Sequence, residues 1–534
     1  MKHYAQVMMN IDEKVQKNSF FRFFLSYVPV LFFYGIFLFL YELKYLRGIV
    51  PAVHPVLIAW AGVVGIYSFF VRRDFKKVQG WSILALFACS ATATAVLNFN
   101  VSVIGNLKVL VMVVLPIICF LPAFASSDAN KRKKDIFKIF SGASIILFLS
   151  SAVSLVMYLI RFTKTVSIFG VNTIIGIEPY GEAVILTGIF EDTNHAATYA
   201  ICSIFFSIFL CLECKKGLFD KKWINTSAFI FGLINIAVQL SYFPLANSRG
   251  GWLSLIIGLS ISAFLYFGWG YKNPQKTSVL RIAAVAGVTL AVTLSAILSI
   301  RGVRSLWSEV SYQISTLTLQ NADQTIYESA EVLSETHNLS NNVSFLQLDD
   351  NSVLSDSNSK AVNTVRLSKE NDSKKDKFTK PGGTGGAGRI EIWENAFKLF
   401  TYNPVFGVNP GNIQYYAAEH LPQTNLAHGK EIHNSYIDLL LDYGAVGFAL
   451  YLAFFVYCAV KILKLVFSYK LHGIQPYLLM AVILTIACSS FFLSCIFINT
   501  TATAFILMLT VGYLLSEVSD IENKRNDNDE KTEI

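Results

Sequence analysis

The chain has 534 residues, of which 54% are hydrophobic and only 15% charged, with a net charge of +8. A soluble domain has about 25% charged residues, so this composition excludes an ordinary water-soluble enzyme and predicts an all-α polytopic membrane protein, in which helices satisfy the backbone polar groups. The lysines and arginines are scattered among short loops, which argues against a nucleic-acid partner and fits a membrane topology signal.

The apolar runs predict about twelve membrane-spanning helices, each close to the roughly 20 residues that a bilayer crossing requires. The expected spans cover residues 23–42, 51–71, 80–97, 106–125, 139–160, 196–212, 226–245, 251–269, 281–300, 435–460, 475–495 and 499–516. About twenty mixed polar residues precede the first span and no small-residue cleavage site follows it, so we expect no cleaved signal peptide.

These spans divide the chain into five parts. They are a tail at 1–22, nine spans within 23–300, a large polar loop at 301–434, three spans within 435–516 and a charged tail at 517–534. Within the loop, we expect 301–388 to be partly disordered, because its Ser-, Asn-, Asp- and Lys-rich middle cannot bury enough apolar surface. We expect regular structure at 389–434 and disorder in the last tail.

The distribution of basic residues predicts the orientation of the spans. One set falls on alternate connections and comprises Lys14, Lys17, Arg22, Arg72, Arg73, Lys76, Lys77, the KRKK run at 131–134, Lys215, Lys216, Lys221, Lys222, Lys272, Lys276, Lys461, Lys464 and Lys470. The other connections are sparse, with Lys44, Arg47, Arg161 and Lys164 as their main basic residues. We therefore expect both termini in the cytoplasm and the 301–434 loop outside it, in a multi-pass protein of the cell membrane.

The sequence gives weak support for metal binding. The eight cysteines lie in or beside apolar runs and predict no disulfide framework, and the pair Cys211 and Cys214 has no second ligand pair nearby. Polar residues crowd the shorter outer segment, at Glu178, Glu182, Glu191, Asp192, Asn194 and His195. They suit a metal ion or an acceptor molecule, but their carboxylates lack a clear ligand spacing, so we expect no metal.

Arg249 is the first candidate for chemistry, in the sequence SYFPLANSRGGWLSL between two apolar runs. A cation near the bilayer core costs about 3 kcal/mol on insertion scales, so it needs water or an anionic partner. One interpretation is an interfacial arginine that extends to lipid headgroups. The other is a fork-shaped donor for a phosphate.

Arg389 follows five glycines in the run GGTGGAG and begins a predicted helix. Glycines allow close approach to a ligand, and a helix start favours anions. The alternative is a solvated loop arginine. The expected apolar face comprises Ile390, Trp393, Ala396, Phe397 and Phe400, and Asn403-Pro404 should end this helix. Trp393 suits apolar core, a membrane surface or a sugar ring.

His433 precedes Asn434, a plausible helix N-cap, in HNSYIDLLLDYGAVG. The positive end of the helix dipole favours neutral imidazole, which suits a general base near neutral pH. The alternative is a polar cap at the membrane interface. Asp438 and Asp442 are expected to orient the histidine or to face water. Nearby alternatives are His420 and His428.

The run GVNPGN at 407–412 predicts tight backbone turns at Gly407 and Gly411. It is unlike a nucleotide-binding loop, because it has no lysine and no preceding strand. Farther along, Gly444 and Gly447 are expected to form a joint between a surface helix and the next span.

As an ordered set, these motifs resemble the O-antigen ligase and O-antigen polymerase superfamily. The matching pieces are GIFEDTNHAATY at 188–199, NSRGGW at 247–252, GRIEIWENAFKLFTYNPVFGVNPGN at 388–412 and HNSYIDLLLDYGAVG at 433–447. The resemblance covers about 188–460. Residues 305–388 are longer and more polar than in a typical ligase, so the acceptor stays open.

The resemblance implies a GT-C-like helical membrane glycosyltransferase for cell-envelope polysaccharide. Its donor would be a glycan on a polyprenyl diphosphate such as undecaprenyl diphosphate, its acceptor a sugar hydroxyl on a glycan or glycolipid, and it would need no metal or other cofactor. Arg249 and Arg389 would grip the diphosphate and His433 would position or deprotonate the acceptor hydroxyl, all at the extracytoplasmic face. Further substrate contacts would come from Asn194, Trp393, Gly407, Gly411 and Asn434.

Two alternatives remain open beside a glycan ligase. A repeat-unit polymerase would use the same donor and leaving group. A non-enzymatic flippase or transporter would line a midplane cavity with charges, and the sequence places few charges inside its spans.

Overall fold

A computed structural model describes residues 2–46, 50–168, 171–180, 183–270, 387–468, 471, 473–494 and 501–532, and some positions between 283 and 314. The polar segment 315–386 lies outside the described residues, and with it the expectation of disorder there. Helices dominate the described ranges, as the apolar composition predicts.

The first half of the bundle contains seven helices. They are α1 (Lys2–Lys17), α2 (Ser19–Phe24), α3 (Tyr27–Tyr41), α4 (Val50–Tyr67), α5 (Trp81–Leu97), α6 (Val103–Leu115) and α7 (Ala129–Leu159). Wider π-helical turns continue α4 through Ser68–Arg72 and α6 through Pro116–Phe120. Short 3-10 turns follow them at Asp74–Lys77 and Leu121–Phe124.

The shorter outer segment forms an antiparallel sheet that the sequence analysis did not predict. Its strands are β1 (Thr163–Ile168), β2 (Val171–Tyr180) and β3 (Ala183–Gly188), in the order β1-β2-β3. Thr163 pairs with Gly176 at one end of the first ladder and Ile168 with Val171 at the other. A bulge at Gly176 and Ile177 shifts the second ladder. The sheet leads directly into the next helix.

The second half begins with α8 (Thr193–Lys215), α9 (Lys222–Leu245) and α10 (Arg249–Leu265), which a π-helical turn continues through Tyr266–Gly270. After the segment described only in part come α11 (Ala387–Phe400), a 3-10 turn at Pro410–Asn412 and α12 (Ile413–His420). The chain ends with α13 (Ser435–Phe467), α14 (Gln475–Ser489) and α15 (Ala502–Thr532).

Eight helices in the described ranges are long and apolar enough to cross a membrane. Three shorter apolar helices, α3, α5 and α14, coincide with further predicted spans. The predicted span at 281–300 falls on positions of which only some are described. The membrane-helix class is therefore confirmed, whereas the number twelve stays a prediction.

Two helices form the centre of the bundle. In α8 and in the apolar part of α15, 89% of the membrane-length window is buried, against 28% in α10 and α13. The outer helices direct apolar side chains outward, such as Val63 and Ile66 of α4, as contact with lipid requires.

The described members of the basic set lie at one end of the bundle, where several form ion pairs. Arg132 at the start of α7 is buried and lies 3.0 Å from Glu517 and 2.6 Å from Asp520. Lys461 near the end of α13 lies 2.9 Å from Glu522. We call this end the basic face.

The expected disorder after Ser516 is wrong for the described residues, because α15 continues to Thr532. The ion pairs of the basic face explain why this segment is helical. Glu517, Asp520 and Glu522 have cationic partners on α7 and α13, so the charged extension has a surface to pack against.

Gly444 breaks the regular geometry of α13, with φ 66° and ψ −173°, a combination that is essentially confined to glycine. At this point the segment before α12 packs directly on the helix. Ala445 N donates to Pro404 O at 2.8 Å, and Val408 N donates to Leu441 O at 3.0 Å. The joint expected at Gly444 is confirmed, but the turns before it are buried rather than at the surface.

We predict that Gly444→Ala destabilises the folded protein by about 2 kcal/mol or more, because the strained φ alone costs about 1–3 kcal/mol. The added Cβ would also lie 2.3 Å from the carbonyl oxygen of Val405. Thermal unfolding of the purified protein in detergent measures the effect. Gly62→Ala is the matched control, since a Cβ at Gly62 meets nothing within 4 Å. Equal melting temperatures for the two variants would contradict the prediction.

Candidate active site

The site lies at the end of the bundle opposite the basic face, and its first part is the start of α8. Asp192 caps this helix, and its Oδ1 accepts hydrogen bonds from Asn194 N at 2.7 Å and His195 N at 2.9 Å. The cap fixes Asn194 and His195 in the first turn, both half-buried.

The start of α10 is tied to the start of α8. The buried Ser248 caps α10 by accepting from Gly251 N at 3.1 Å, and its hydroxyl donates to Asn194 Oδ1 at 2.8 Å. The two helices approach closely here, since a Cβ on Gly251 would lie 3.1 Å from Ala197 Cβ. Arg249, the first residue of α10, is exposed beside this junction.

Arg389 lies in the first turn of α11 and is half-buried. This helix packs on a small apolar core that is separate from the membrane bundle and includes Ile392, Ala396, Leu399, Val408, Ala417, Leu426, Ile432 and Leu441. The predicted helix is confirmed, but its predicted apolar face is partly wrong. Ile390 and Phe397 are exposed, whereas Ile392 and Leu399 are buried.

Trp393 connects α11 to the segment that carries the histidine. Its Nε1 donates to Ile432 O at 3.0 Å, one residue before His433. The indole therefore has a positioning role in the folded chain. Stacking on a sugar ring stays a prediction for this side chain.

His433 has a left-handed backbone, with φ 56°, which is uncommon for a residue other than glycine. Contacts on both sides hold it there. Its backbone N donates to Ser494 Oγ at 3.1 Å, and the side chain of Asn434 caps α13 by accepting from Tyr436 N and Ile437 N. The imidazole thus has a defined position between two anchored backbone segments.

The charges around His433 show which segments meet at the site. Burial lowers the pKa of its imidazole below the usual value, and the positive charges of Arg389 and of a protonated His195 act in the same direction. Glu431, whose Oε2 lies 3.7 Å from Nδ1, and Asp192 act to raise this pKa. His433 is therefore within electrostatic range of the starts of both α8 and α11, and its neutral form is favoured.

Asp438 and Asp442 are both buried on α13, so the expectation that they face water is wrong. Neither forms a hydrogen bond with His433 among the described contacts. Both carboxylate oxygens of Asp442 lack a hydrogen-bond partner in the part of the chain that the structure describes. The alternative His420 stacks on Tyr402 at the end of α12, with ring centroids 4.2 Å apart.

Gly407 has a backbone role. With φ 73°, it lets the chain lie against α13, where an added Cβ would be 2.5 Å from Gly444 N. Gly411 lies beside Gly105 of α6, its Cβ position 3.3 Å from Gly105 Cα. Their assignment to substrate binding stays a prediction.

A buried amide network that the sequence analysis missed holds this segment on α5 and α6. Asn106 Oδ1 accepts from Asn409 and, at 3.1 Å, from Asn412. Asn98 Nδ2 donates to Gly407 O at 3.2 Å. The sequence signal for this network was the presence of Asn98 and Asn106 beside apolar spans, because buried amides require hydrogen-bond partners.

Lys44, near the start of α8, was also overlooked as a site candidate. Lys44 is buried and donates to Ile174 O of the sheet. Desolvation lowers the pKa of its ammonium group, whereas the negative charges of Glu178, Glu191 and Asp192 act to raise it. No group of three or more His, Cys, Asp and Glu side chains within the described ranges is arranged to hold a metal ion.

Residues 234–452 match the family model described as O-antigen ligase. The matched region includes Arg249, Arg389 and His433. No curated protein matches the chain. This match confirms the resemblance of the chain to the O-antigen ligase and polymerase superfamily.

Proposed function

We propose that this protein transfers a glycan from a polyprenyl diphosphate to a sugar hydroxyl of a lipid-anchored or growing glycan. The observation that carries the proposal is the meeting of helix N-termini at one site. The capped starts of α8 and α10 are joined by the Ser248–Asn194 hydrogen bond, and Arg389 at the start of α11 acts on His433, which precedes α13. At α10 and α11, whose starts carry Arg249 and Arg389, the helix N-termini and guanidinium groups together favour a phosphate-rich ligand.

The two arginines are assigned to the donor. Arg249 begins α10 and Arg389 lies in the first turn of α11, so each adds a full positive charge to a helix start. In glycosyl transfer, the leaving diphosphate gains negative charge as its bond to the sugar breaks. Positive groups placed in advance stabilise that charge, so the proposed mechanism contains no metal step.

His433 is assigned to the acceptor. The acceptor oxygen attacks the anomeric carbon, the bond from that carbon to the diphosphate oxygen breaks, and the polyprenyl diphosphate leaves with the electron pair. The hydroxyl proton passes to His433, which must be neutral beforehand. Its lowered pKa supplies the neutral form.

The site is assigned to the extracytoplasmic face. It lies opposite the basic face, and basic ends of membrane helices are retained in the cytoplasm. Both termini would then be cytoplasmic. A donor glycan carried across the membrane on its lipid would reach Arg389 and His433 directly from the outer leaflet.

A ligase and a polymerase would share these steps and differ in the acceptor. The material that accumulates in a deletion strain distinguishes them. Full-length polymer left on polyprenyl diphosphate indicates a ligase, and single repeat units on the carrier indicate a polymerase.

We predict that Arg389→Ala and His433→Ala each lower glycan transfer by about 100-fold or more, because they remove charge stabilisation or proton acceptance. Transfer is measured with purified protein and a lipid-diphosphate-linked glycan. Lys398→Ala is the matched control, since Lys398 is exposed on α11 away from its first turn. Full transfer by both site variants would overturn the assignment.

The pH dependence provides a second prediction. Because His433 acts as a neutral base with a lowered pKa, kcat/KM should fall only as pH drops below about 6.5, the usual histidine value. Glu431 raises this pKa, so Glu431→Gln should move the acid limb to lower pH. The exposed Glu419 provides the control variant Glu419→Gln. If the acid limb of kcat/KM stays at the same pH in Glu431→Gln, or moves to higher pH, the assignment of His433 as the base is contradicted.

A further inference from the structure

A partly buried hydrogen-bond chain ends at a second histidine of the site. The Tyr199 hydroxyl lies 2.7 Å from Glu42 Oε1 and 3.3 Å from His195 Nδ1. Tyr199 is fully buried on α8. Backbone contacts keep Glu42 in place, since Glu191 N donates to Glu42 O at 2.9 Å and Lys44 N to Ile189 O at 3.0 Å.

The chemistry of this chain selects one tautomer of His195. A carboxylate only accepts hydrogen bonds, so the Tyr199 proton is donated to Glu42. The phenol oxygen then accepts from His195 Nδ1, which must carry the ring proton. In the neutral form of the ring, Nε2 is then unprotonated, and it accepts hydrogen bonds and does not donate them.

The surroundings of His195 suit a neutral hydroxyl better than a phosphate. The Asp192 carboxylate caps the same turn, and its charge extends to His433. A lone pair on Nε2 and a nearby carboxylate repel phosphate oxygens, while a sugar hydroxyl donates to such an acceptor. A protonated His195 would lower the pKa of His433, so the two rings lie within electrostatic range of each other.

We propose that His195 forms the acceptor subsite, in which Nε2 accepts a hydrogen bond from a sugar hydroxyl, and that Tyr199 and Glu42 are positioning residues that fix its tautomer. This inference rests on the proposed glycosyl transfer. It adds a residue for recognition of the acceptor, separate from the arginines assigned to the donor.

His195→Ala should raise KM for the glycan acceptor about tenfold, the effect of one lost hydrogen bond, with a smaller change in kcat and in KM for the donor. Tyr199→Phe should act in the same direction. Glu42→Gln should retain near-normal KM, because its amide oxygen still accepts from Tyr199, whereas Glu42→Ala should not. His420→Gln is the control histidine, since His420 stacks on Tyr402 outside this chain.

A spectroscopic measurement keeps the test independent of turnover. Nitrogen-15 NMR of histidine-labelled full-length protein, assigned by subtraction of His195→Gln, should show the Nδ1–H tautomer and its loss in Tyr199→Phe. An Nε2–H tautomer in the native protein, or an unchanged acceptor KM in His195→Ala while His433→Ala is inactive, overturns this inference alone. Full transfer by Arg389→Ala and His433→Ala would instead overturn the proposed function.

A separate observation lies at the basic face. An apolar groove with a volume of about 360 Å³ opens between α4, α5 and α6, and every lining residue is apolar, including Phe69, Phe75, Trp81, Ala88 and Ile117. Both π-helical turns, Ser68–Arg72 and Pro116–Phe120, contribute to its walls. Such turns widen a helix locally and often mark functional sites.

Basic residues adjoin one end of this groove. Phe75 lines the groove, while Arg73, Lys76 and Lys77 are its close neighbours in sequence. The one carboxylate among them, Asp74, is buried and lies 3.1 Å from Arg72 Nε and 3.6 Å from Lys77 Nζ. Residues 72–77 contain four cationic side chains and this single carboxylate, so the rim carries surplus positive charge, and Lys76 and Lys77 are exposed.

We propose that this groove binds an anionic glycerophospholipid, with an acyl chain against the aromatic wall and the phosphate at the Arg73–Lys77 rim. Basic residues at the membrane surface attract anionic headgroups, and the apolar wall requires a hydrocarbon partner. This site is independent of the proposed transfer reaction.

Native mass spectrometry of the full chain with phosphatidylglycerol or phosphatidylcholine tests the site. The native protein should retain phosphatidylglycerol preferentially, the double variant Lys76→Gln/Lys77→Gln should lose that preference, and Ala88→Trp should reduce retention of both lipids. The controls are Lys221→Gln/Lys222→Gln and Val63→Trp, at exposed positions outside the groove. Equal retention of the two lipids by the native protein, or equal effects of the control variants, would show unselective boundary lipid and overturn the proposal.

Discussion

The site depends on one constraint, which is that three capped helix N-termini meet at one end of the bundle. Asp192, Ser248 and Asn434 accept backbone N–H groups at the starts of α8, α10 and α13. Each helix start carries about half a positive charge, and the Ser248–Asn194 hydrogen bond prevents two of them from separating. The fold therefore favours an anion at α10, where the cap is the neutral Ser248, even before Arg249 adds its charge, whereas the Asp192 carboxylate offsets this effect at α8.

A second constraint places Arg389 within range of His433. The small core between α11 and α13 is joined to the membrane bundle where Gly407 and Gly444 allow two backbones to touch. The amide network of Asn98 and Asn106 holds the same segment from the other side. Trp393 then fixes the backbone directly before His433. Packing at Gly407 and Gly444 thus helps to set the positions of Arg389 and His433, although neither glycine is part of the proposed chemistry.

The sequence was sufficient for features that depend on local pattern. Apolar runs located most of the spans because hydrocarbon selects for them, and the start of α13 followed from its Asn434 cap. Non-local features were not predictable. The sheet at 163–188 needs pairing between strands, Asn106 finds its partner 303 residues away, and the buried face of α11 depends on where α13 lies.

The positive character of the site has opposite effects on its two proposed tasks. It attracts a diphosphate, but it also lowers the pKa of His433, where Arg389 and burial act together. A weaker base is available in neutral form but accepts a proton less readily. A bound diphosphate would offset the arginine charge, raise the basicity of His433 and, on leaving, remain beside the imidazolium that forms. Donor binding would then make His433 a stronger base for the acceptor hydroxyl. Without the donor, the positive charges that hold the diphosphate keep His433 a weak base, so proton acceptance would be delayed until the donor is bound.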